Sequence, residues 1–223
     1  MNYLETIKES YATIKKGGLS LAKADIGYGL FGHSEISIKK MYVLKGRPLS
    51  NPCIAAANIH ILQDVALLKN MKLLEWIEDI SSKTTLAVIN PANIQSAFIL
   101  KLSAWVKNQL IVNNTIATFL NTGKYIEPMI EFGIPDNILL VGSSGNLSSY
   151  GNNYTFNDVP KKIIDGVDYF YDAGDSKYKN NEKLATTILN FDNFSVKRVG
   201  VNSDMILESY HSFARKNGLP NLT

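Results

Sequence analysis

The sequence predicts one α/β domain in which a twisted, mixed β-sheet is flanked by helices. Segments with the apolar spacing of helices alternate with short, strand-like apolar segments, and no repeat or linker interrupts them. Some neighbouring strands are joined by short turns, which favours antiparallel pairs within the sheet. The length of 223 residues and the apolar content of 45% allow a substantial core without disulfides.

The first 44 residues are expected to form a helix, a strand, a glycine-rich turn and a second helix. Apolar side chains have helical spacing over residues 3–16, and two glycines at 17–18 predict the end of that helix. The segment LSLAKA is predicted to be a short strand, and DIGYGLFGHS a glycine-rich turn. Helical spacing returns over residues 34–44, with Ser34 as the N-cap.

The central part of the chain is predicted to contain further strands and helices. CIAAANI is typical of a buried strand, and helical sequence follows it to about residue 81. TTLAVI is rich in strand-forming residues and ends near Pro91, whereas IQSAFILKLSAWV fits either a helix or a strand. QLIVNN and TIATFL are predicted to pair around Asn113 and Asn114. KYIEPMIEFG predicts a helix that ends at Gly133.

The last third of the chain is also predicted to alternate between strands and helices. NILLVGSSGNLSS is predicted to be a strand that runs into a loop of serine, glycine and asparagine. VPKKIIDG predicts a short helix, VDYFYDAG a strand, and residues 175–183 a polar loop. LATTILNF and FSVKRVG are expected to be the last strands, and residues 203–217 an amphipathic helix that ends at Gly218.

The composition excludes several classes of site. The net charge of +3, without a long block of lysine and arginine, does not favour strong nucleic-acid binding. Cys53 is the single cysteine, which excludes an intrachain disulfide and a cysteine-based zinc site. The three histidines lack metal-ligand spacing, so no metal ligand is predicted. Without a signal peptide or an apolar run as long as a membrane span, the chain is expected to be cytoplasmic and to have no membrane partner.

Three polar clusters are candidates for binding an anion. Lys45 and Arg47 flank a glycine before a proline-rich turn, the segment 142–149 (GSSGNLSS) follows an apolar strand, and Arg198 lies at the end of the last strand. Small residues at a strand end let backbone N–H groups approach a ligand, and arginine engages two phosphate oxygens at once. Together the clusters suggest a phosphate or nucleotide site, although each alone is also typical of a solvated surface.

The order of these clusters resembles the YrdC/YciO family, whose best-known members are L-threonylcarbamoyladenylate synthases. Residues 17–52, GGLSLAKADIGYGLFGHSEISIKKMYVLKGRPLSNP, are similar to the opening strand, loop, helix and K-x-R-P…NP block of that family. VGSSGNLSS is similar to its SAN motif, and LATTILNF with VKRVG to its STV strand and the following arginine. Residues 83–120 fit the family poorly.

The resemblance implies a single YrdC-like domain over residues 1–223, with a concave basic groove and no second C-terminal domain. It also implies a nucleotidyltransferase that uses ATP with Mg²⁺ as substrate. In the family, bicarbonate and threonine form a carbamate that attacks the α-phosphate, which yields threonylcarbamoyl-AMP and pyrophosphate. Family members act in tRNA modification and are associated with tRNA and double-stranded RNA, which are therefore possible partners here.

The family motifs place nine site residues on this sequence. The expected nucleotide-binding residues are Lys45, Arg47, Ser144, Asn146 and Arg198. The expected substrate-pocket residues are Asp25, Tyr28, Ser143 and Thr186. No catalytic acid or base is predicted, because the carboxylates show no paired arrangement.

The chain departs from the family where threonine is bound. Lys23 and Ala24 replace Pro-Thr, Ile26 replaces a second threonine, Ala56 stands near a histidine, and Phe119 near an arginine. Losing these polar groups is expected to weaken recognition of threonine. Three interpretations stay open: a synthase that uses threonine or another amine, a nucleotide- or RNA-binding protein without turnover, and a structural domain.

Overall fold

The computed structural model describes residues 2–68, 70–148 and 150–223, which contain one ten-stranded sheet. The strands are β1 (Ser20–Ala24), β2 (Gly27–Gly32), β3 (Ile54–Ala56), β4 (Leu86–Pro91), β5 (Ile111–Val112), β6 (Thr115–Leu120), β7 (Leu140–Ser144), β8 (Tyr169–Phe170), β9 (Ile188–Asn190) and β10 (Ser195–Arg198). The helices are α1 (Tyr3–Lys15), α2 (Glu35–Lys45), α3 (Ile59–Val65), α4 (Met71–Lys83), α5 (Ala97–Leu100), α6 (Ala104–Leu110), α7 (Ile126–Gly133), α8 (Lys161–Gly166) and α9 (Ser203–Asn217).

The sheet is mixed, as the sequence predicts. Its strands lie in the order β10-β9-β4-β6-β3-β7-β2-β1-β8, and β5 pairs with β6 beside this path. The pairs β3–β6, β4–β9 and β1–β8 are parallel. The pairs β1–β2, β2–β7, β3–β7, β4–β6, β5–β6 and β9–β10 are antiparallel. Strands from both halves of the chain are therefore neighbours in the centre of the sheet.

The predicted glycine-rich turn at DIGYGLFGHS is wrong, because most of it forms β2. Only Asp25 and Ile26 turn the chain, and β2 then pairs with β1 on one side and β7 on the other. All six residues of β2 are buried. A Cβ on Gly32 would lie 2.4 Å from the Ser37 hydroxyl oxygen, so the glycine allows α2 to pack closely on this strand.

In two further segments, serine caps and the backbone preferences of asparagine determine the local structure. IQSAFILKLSAWV, which fits a helix or a strand, forms α5 and α6 because Ser96 and Ser103 cap their N-termini. The turn between β5 and β6 places Asn113 and Asn114 at φ angles of 51° and 59°, which confirms the predicted hairpin. Asparagine tolerates this left-handed conformation better than most residues do.

Helix α2 ends at Lys45, two residues before Arg47, and neighbouring residues determine where the helix begins and ends. Ser34 caps the N-terminus, as predicted: its hydroxyl oxygen accepts a hydrogen bond of 3.1 Å from the Ser37 N–H and donates one of 2.7 Å to the Gly17 carbonyl. Gly46 ends the helix with a φ of 58°, in the left-handed region where glycine is unstrained. Lys45 is therefore the last helical residue, and Arg47 begins the next connection.

The C-terminal helix closes one side of the core. α9 ends at Gly218, as predicted, and its Tyr210 ring packs edge-on against Trp76 of α4 with 5.2 Å between the ring centroids. The Trp76 indole N–H donates a hydrogen bond of 3.1 Å to the Ser209 hydroxyl. Within the described ranges, no helix combines the length and apolar character needed to cross a membrane.

Replacing Ser34 with alanine is expected to lower the free energy of unfolding by about 1 kcal/mol, since the α2 cap and the link to Gly17 are both lost. Ser82→Ala is the matched control, because the exposed Ser82 hydroxyl only contacts the Asp79 carbonyl within α4. Urea denaturation should place the control within about 0.5 kcal/mol of the wild type. Equal stability of the two variants would contradict the role of the cap.

Candidate functional site

A cleft of about 260 Å³ opens on one face of the sheet. Strand register explains why several strands contribute to it. Ile89 on β4 is opposite Ala117 on β6, and Ile54 on β3 is opposite Gly142 on β7, so these residues project from the same face. The β1–β2 turn adds Ile26 to this surface, and the connection after α2 and the end of β10 form walls.

The cleft brings together most of the residues that the sequence predicts for the site. Those that line it are Tyr28, Arg47, Ser143, Ser144, Thr186 and Arg198. Lys45 and Asn146 contact Ser144 from behind the lining, and Asp25 lies beside the cleft in the β1–β2 turn. Ser149, the last residue of the predicted serine-rich cluster, lies outside the described residues.

Lys45 is a buried lysine that supports the cleft wall. Its side chain is only 2% exposed, and its ammonium group donates hydrogen bonds to the Ser144 carbonyl, to the Asn146 carbonyl at 2.7 Å and to the Asn146 amide oxygen at 3.2 Å. Burial, and then the nearby positive charge of Arg47, lowers its pKa to about 7. These contacts hold the end of α2 against the loop that follows β7.

That loop is held by several further hydrogen bonds. The Ser144 hydroxyl donates to the Asn146 amide oxygen, and the Asn153 amide donates to the Gly145 carbonyl at 2.9 Å. The Gly145 N–H donates to the Tyr28 carbonyl at 2.6 Å. Asn146 is therefore occupied with positioning Ser144 and Lys45, whereas Ser143 and Ser144 themselves line the cleft.

Arg47 lies on the wall formed by the connection after α2. Its Nη2 donates a hydrogen bond of 2.7 Å to the Pro52 carbonyl, and its Nε donates one of 3.3 Å to the Asn51 carbonyl. The guanidinium carbon lies 5.9 Å from the centroid of the Tyr42 ring. The proline-rich turn therefore fixes the orientation of this side chain, and the N–H groups that do not contact these carbonyls are available to an anion.

The last strand supplies two cations to the cleft, of which the sequence motifs predict only Arg198. Arg198 donates a hydrogen bond of 2.9 Å from Nε to the carbonyl of Thr186, and Lys197 lines the cleft beside it. Strict strand alternation would point adjacent residues to opposite faces. The pairing of β10 with β9 shifts register between Val196 and Arg198, and such a bulge allows both side chains to reach the cleft.

The remaining predicted pocket residues have structural partners. The Tyr28 hydroxyl accepts a hydrogen bond of 3.0 Å from the Ala173 N–H, and it lies 3.0 Å from the Gly174 carbonyl, to which it donates. Lys23, which replaces a family proline, donates a hydrogen bond of 2.7 Å to the Ala173 carbonyl. Burial raises the pKa of Asp25, and nearby lysines oppose this rise. Tyr28 and Lys23 thus attach the loop after β8 to the cleft.

The floor of the cleft is apolar. Ile26, Ile54, Ile89, Ala117, Phe119 and Ile188 form it, and we call this set the apolar floor. Two of these residues, Ile26 and Phe119, stand where the family resemblance places polar side chains. Among the described residues, no group of three or more histidine, cysteine, aspartate or glutamate side chains is arranged to hold a metal ion.

A comparison with protein-family models matches residues 12–200 to the model Sua5/YciO/YrdC, which carries the description telomere recombination. The chain belongs to the Sua5/YciO/YrdC family. The predicted YrdC-like resemblance is therefore confirmed. A search of curated proteins found no match in sequence.

Solved structures share the fold of this Sua5/YciO/YrdC chain. Sua5 of P. abyssi in complex with L-threonine is 17% identical, with a TM-score of 0.74 over 100% of this chain and 60% of that one. A hypothetical protein of Streptococcus mutans is 16% identical, with a TM-score of 0.78 over 92% and 90% of the two chains. E. coli YciO is 14% identical, with a TM-score of 0.66 over 88% and 90%. The chain thus spans about three fifths of the length of the Sua5 protein.

The buried ammonium of Lys45 predicts a pH dependence of stability. Its pKa is about 7 in the folded chain, below the ordinary value of 10.5, so between these values the unfolded chain keeps a proton that the folded chain has released. The Lys45 contribution to the free energy of unfolding therefore rises with pH over this range, by at most about 1.4 kcal/mol per pH unit. Below pH 7 both states are protonated and the contribution is lowest.

Urea denaturation of the wild type and of Lys45→Met between pH 6 and 10 measures this effect. The stability difference in favour of the wild type should grow as the pH rises above 7. Lys83→Met, which removes a surface lysine from α4, controls for the loss of one positive charge. A Lys45→Met difference that stays constant over this range would show that Lys45 keeps its proton in the folded chain.

Proposed function

We propose that the chain is a nucleotidyltransferase that forms a carbamoyl-type adenylate from ATP, bicarbonate and an amine, with release of pyrophosphate. Membership of the Sua5/YciO/YrdC family supports the reaction class. The L-threonine bound to P. abyssi Sua5 supports an amino acid as the amine.

The observation that carries the proposal is the gathering of cations around one cleft. The chain has three arginines, and two of them, Arg47 and Arg198, line the cleft together with Lys197. They come from elements that are about 150 residues apart in sequence, and their meeting in one cleft supports a shared role in binding an anion. Arginine guanidinium groups held by carbonyl contacts offer a preorganised fork for phosphate oxygens.

The hydroxyl groups of the cleft complement these cations. Ser143 and Ser144 lie at the end of β7, and Thr186 lies before β9. The Ser143 and Thr186 hydroxyls are suited to donate hydrogen bonds to phosphate oxygens while the cations neutralise the charge, whereas the Ser144 hydroxyl donates to the Asn146 amide oxygen. Lys45 and Asn146, buried behind Ser144, would hold this wall in place rather than contact the nucleotide.

The proposed reaction has two steps. The amine nitrogen bonds to the carbon of bicarbonate and water is lost, which leaves a carbamate. A carbamate oxygen then attacks the α-phosphorus, and the bond from that phosphorus to the oxygen bridging the β-phosphate breaks, so that pyrophosphate leaves. Positioning of the reactants and neutralisation of developing charge account for catalysis without a protein nucleophile.

Magnesium is expected to arrive with the nucleotide. The cleft lining contains no aspartate or glutamate among the described residues, so its donors suit anions rather than a cation. Mg²⁺ commonly keeps several waters and binds through substrate phosphates. The ion would therefore accompany the triphosphate as part of the substrate.

Replacing Arg47 or Arg198 with glutamine is expected to weaken ATP binding by about 10- to 100-fold each, because a charge-assisted hydrogen bond contributes about 1.5–3 kcal/mol. Calorimetric titration with Mg-ATP measures the change. Arg215→Gln is the matched control, because the third arginine lies in the last turn of α9 and does not line the cleft. Unchanged affinity in both cleft variants would remove the proposed phosphate site.

Pyrophosphate release tests the reaction itself. Mg-ATP and bicarbonate are incubated with a panel of amino acids and simple amines, and the adenylate is identified by mass. We expect release that requires both bicarbonate and an amine. ATP binding without release under any amine would favour the alternative, a YrdC-like protein that binds a nucleotide without turnover.

A further inference from the structure

Part of the apolar floor is accessible from the cleft. Ile89, Ala117 and Ile188 are only partly buried, although each lies on a strand that is paired on both sides. Ile26 and Phe119 keep 7% and 5% of their surface. A partly accessible apolar surface at the bottom of a cleft is suited to receive an apolar group of a ligand.

The six side chains of the floor carry no polar atom, and the polar side chains that line the cleft, Ser143 and Thr186 among them, are those proposed above to meet the phosphates. The side-chain atoms that are buried without a hydrogen-bond partner belong to Asn90, Gln109 and Ser176, and none of these residues lines the cleft. Asn152, beside the floor, donates its amide N–H to the Ile26 carbonyl at 2.9 Å. A hydroxyl buried against this surface would lose its hydrogen bonds to water without replacement.

The volume of the cleft favours the amine substrate, rather than the nucleotide base, as the group that contacts the floor. Its volume of about 260 Å³ lies below the roughly 300–1,000 Å³ of pockets that enclose drug-sized ligands. A nucleotide and a second substrate would therefore share a small enclosed volume. With the phosphates held by Arg47 and Arg198 on the walls, the amine must reach the α-phosphorus within the cleft, where the floor is the adjoining surface.

We infer that the acceptor is an amino acid or amine with an apolar, branched side chain such as that of valine, rather than threonine. The inference rests on the proposed function and names its substrate class. Valine and threonine have nearly the same shape and differ by a methyl group in place of a hydroxyl. An apolar pocket typically discriminates against the added hydroxyl by about 10- to 100-fold.

The first test compares valine, isoleucine and leucine with threonine and serine in the pyrophosphate assay with the wild-type chain. The value of kcat/KM for valine should exceed that for threonine by about 10-fold or more. Equal or faster reaction with threonine would overturn the inference and leave the proposed function intact. Absence of release with every amine would instead overturn the proposed function, and the inference with it.

The second test changes the floor by a matched pair of substitutions. Ile26→Thr adds a hydroxyl to the floor, and Ile26→Val provides the same shape without the hydroxyl. The valine-to-threonine ratio of kcat/KM should fall about 10-fold in Ile26→Thr and stay near the wild-type ratio in Ile26→Val. A raised KM for ATP in Ile26→Thr with an unchanged ratio would mean that the nucleotide base occupies the floor, which would overturn the inference.

Discussion

The architecture of the cleft depends on one buried lysine side chain. Lys45 is 2% exposed, and its amino group is surrounded by the carbonyl oxygens of Ser144 and Asn146. Removing an ammonium group from water is costly, and the oxygen acceptors offset this cost only while the loop after β7 keeps its conformation. Since Ser144 ends β7 directly before that loop and Arg47 follows Lys45 by two residues, a single interaction positions two parts of the cleft wall.

The cleft combines two surfaces with different chemistry. Arginine, lysine and hydroxyl side chains on the walls are suited to an anion, whereas the apolar floor is suited to a hydrocarbon group. The lysine that departs from the family pattern, Lys23, has a structural use, because it attaches the loop after β8 through the Ala173 carbonyl. Of the positions where the resemblance marks a departure, Ile26 and Phe119 belong to the floor, while Arg47, Ser144 and Arg198 line the cleft.

Local signals allowed much of the fold to be predicted. Ser34 and Gly46 define the ends of α2 through contacts within a few residues, and the asparagine pair at 113–114 defines a hairpin through its own backbone preferences. The turn predicted for residues 25–34 was wrong because glycines are also typical of turns. Here they allow β2 to pack between two strands and against α2. The motifs predicted several polar residues that line the cleft, but Lys197 was missed because a β-bulge is not visible in an alternating pattern.

By itself, the sequence determined the alternation of helices and strands, their caps and the order of the family motifs, because these depend on neighbouring residues. Only the tertiary structure decided that Lys45 is buried behind the wall, that Arg47 and Arg198 share one cleft, and that Ile26 belongs to its floor. Those relationships depend on strand order, register and burial. Contacts between segments far apart in the chain set all three, so no short stretch of sequence contains them.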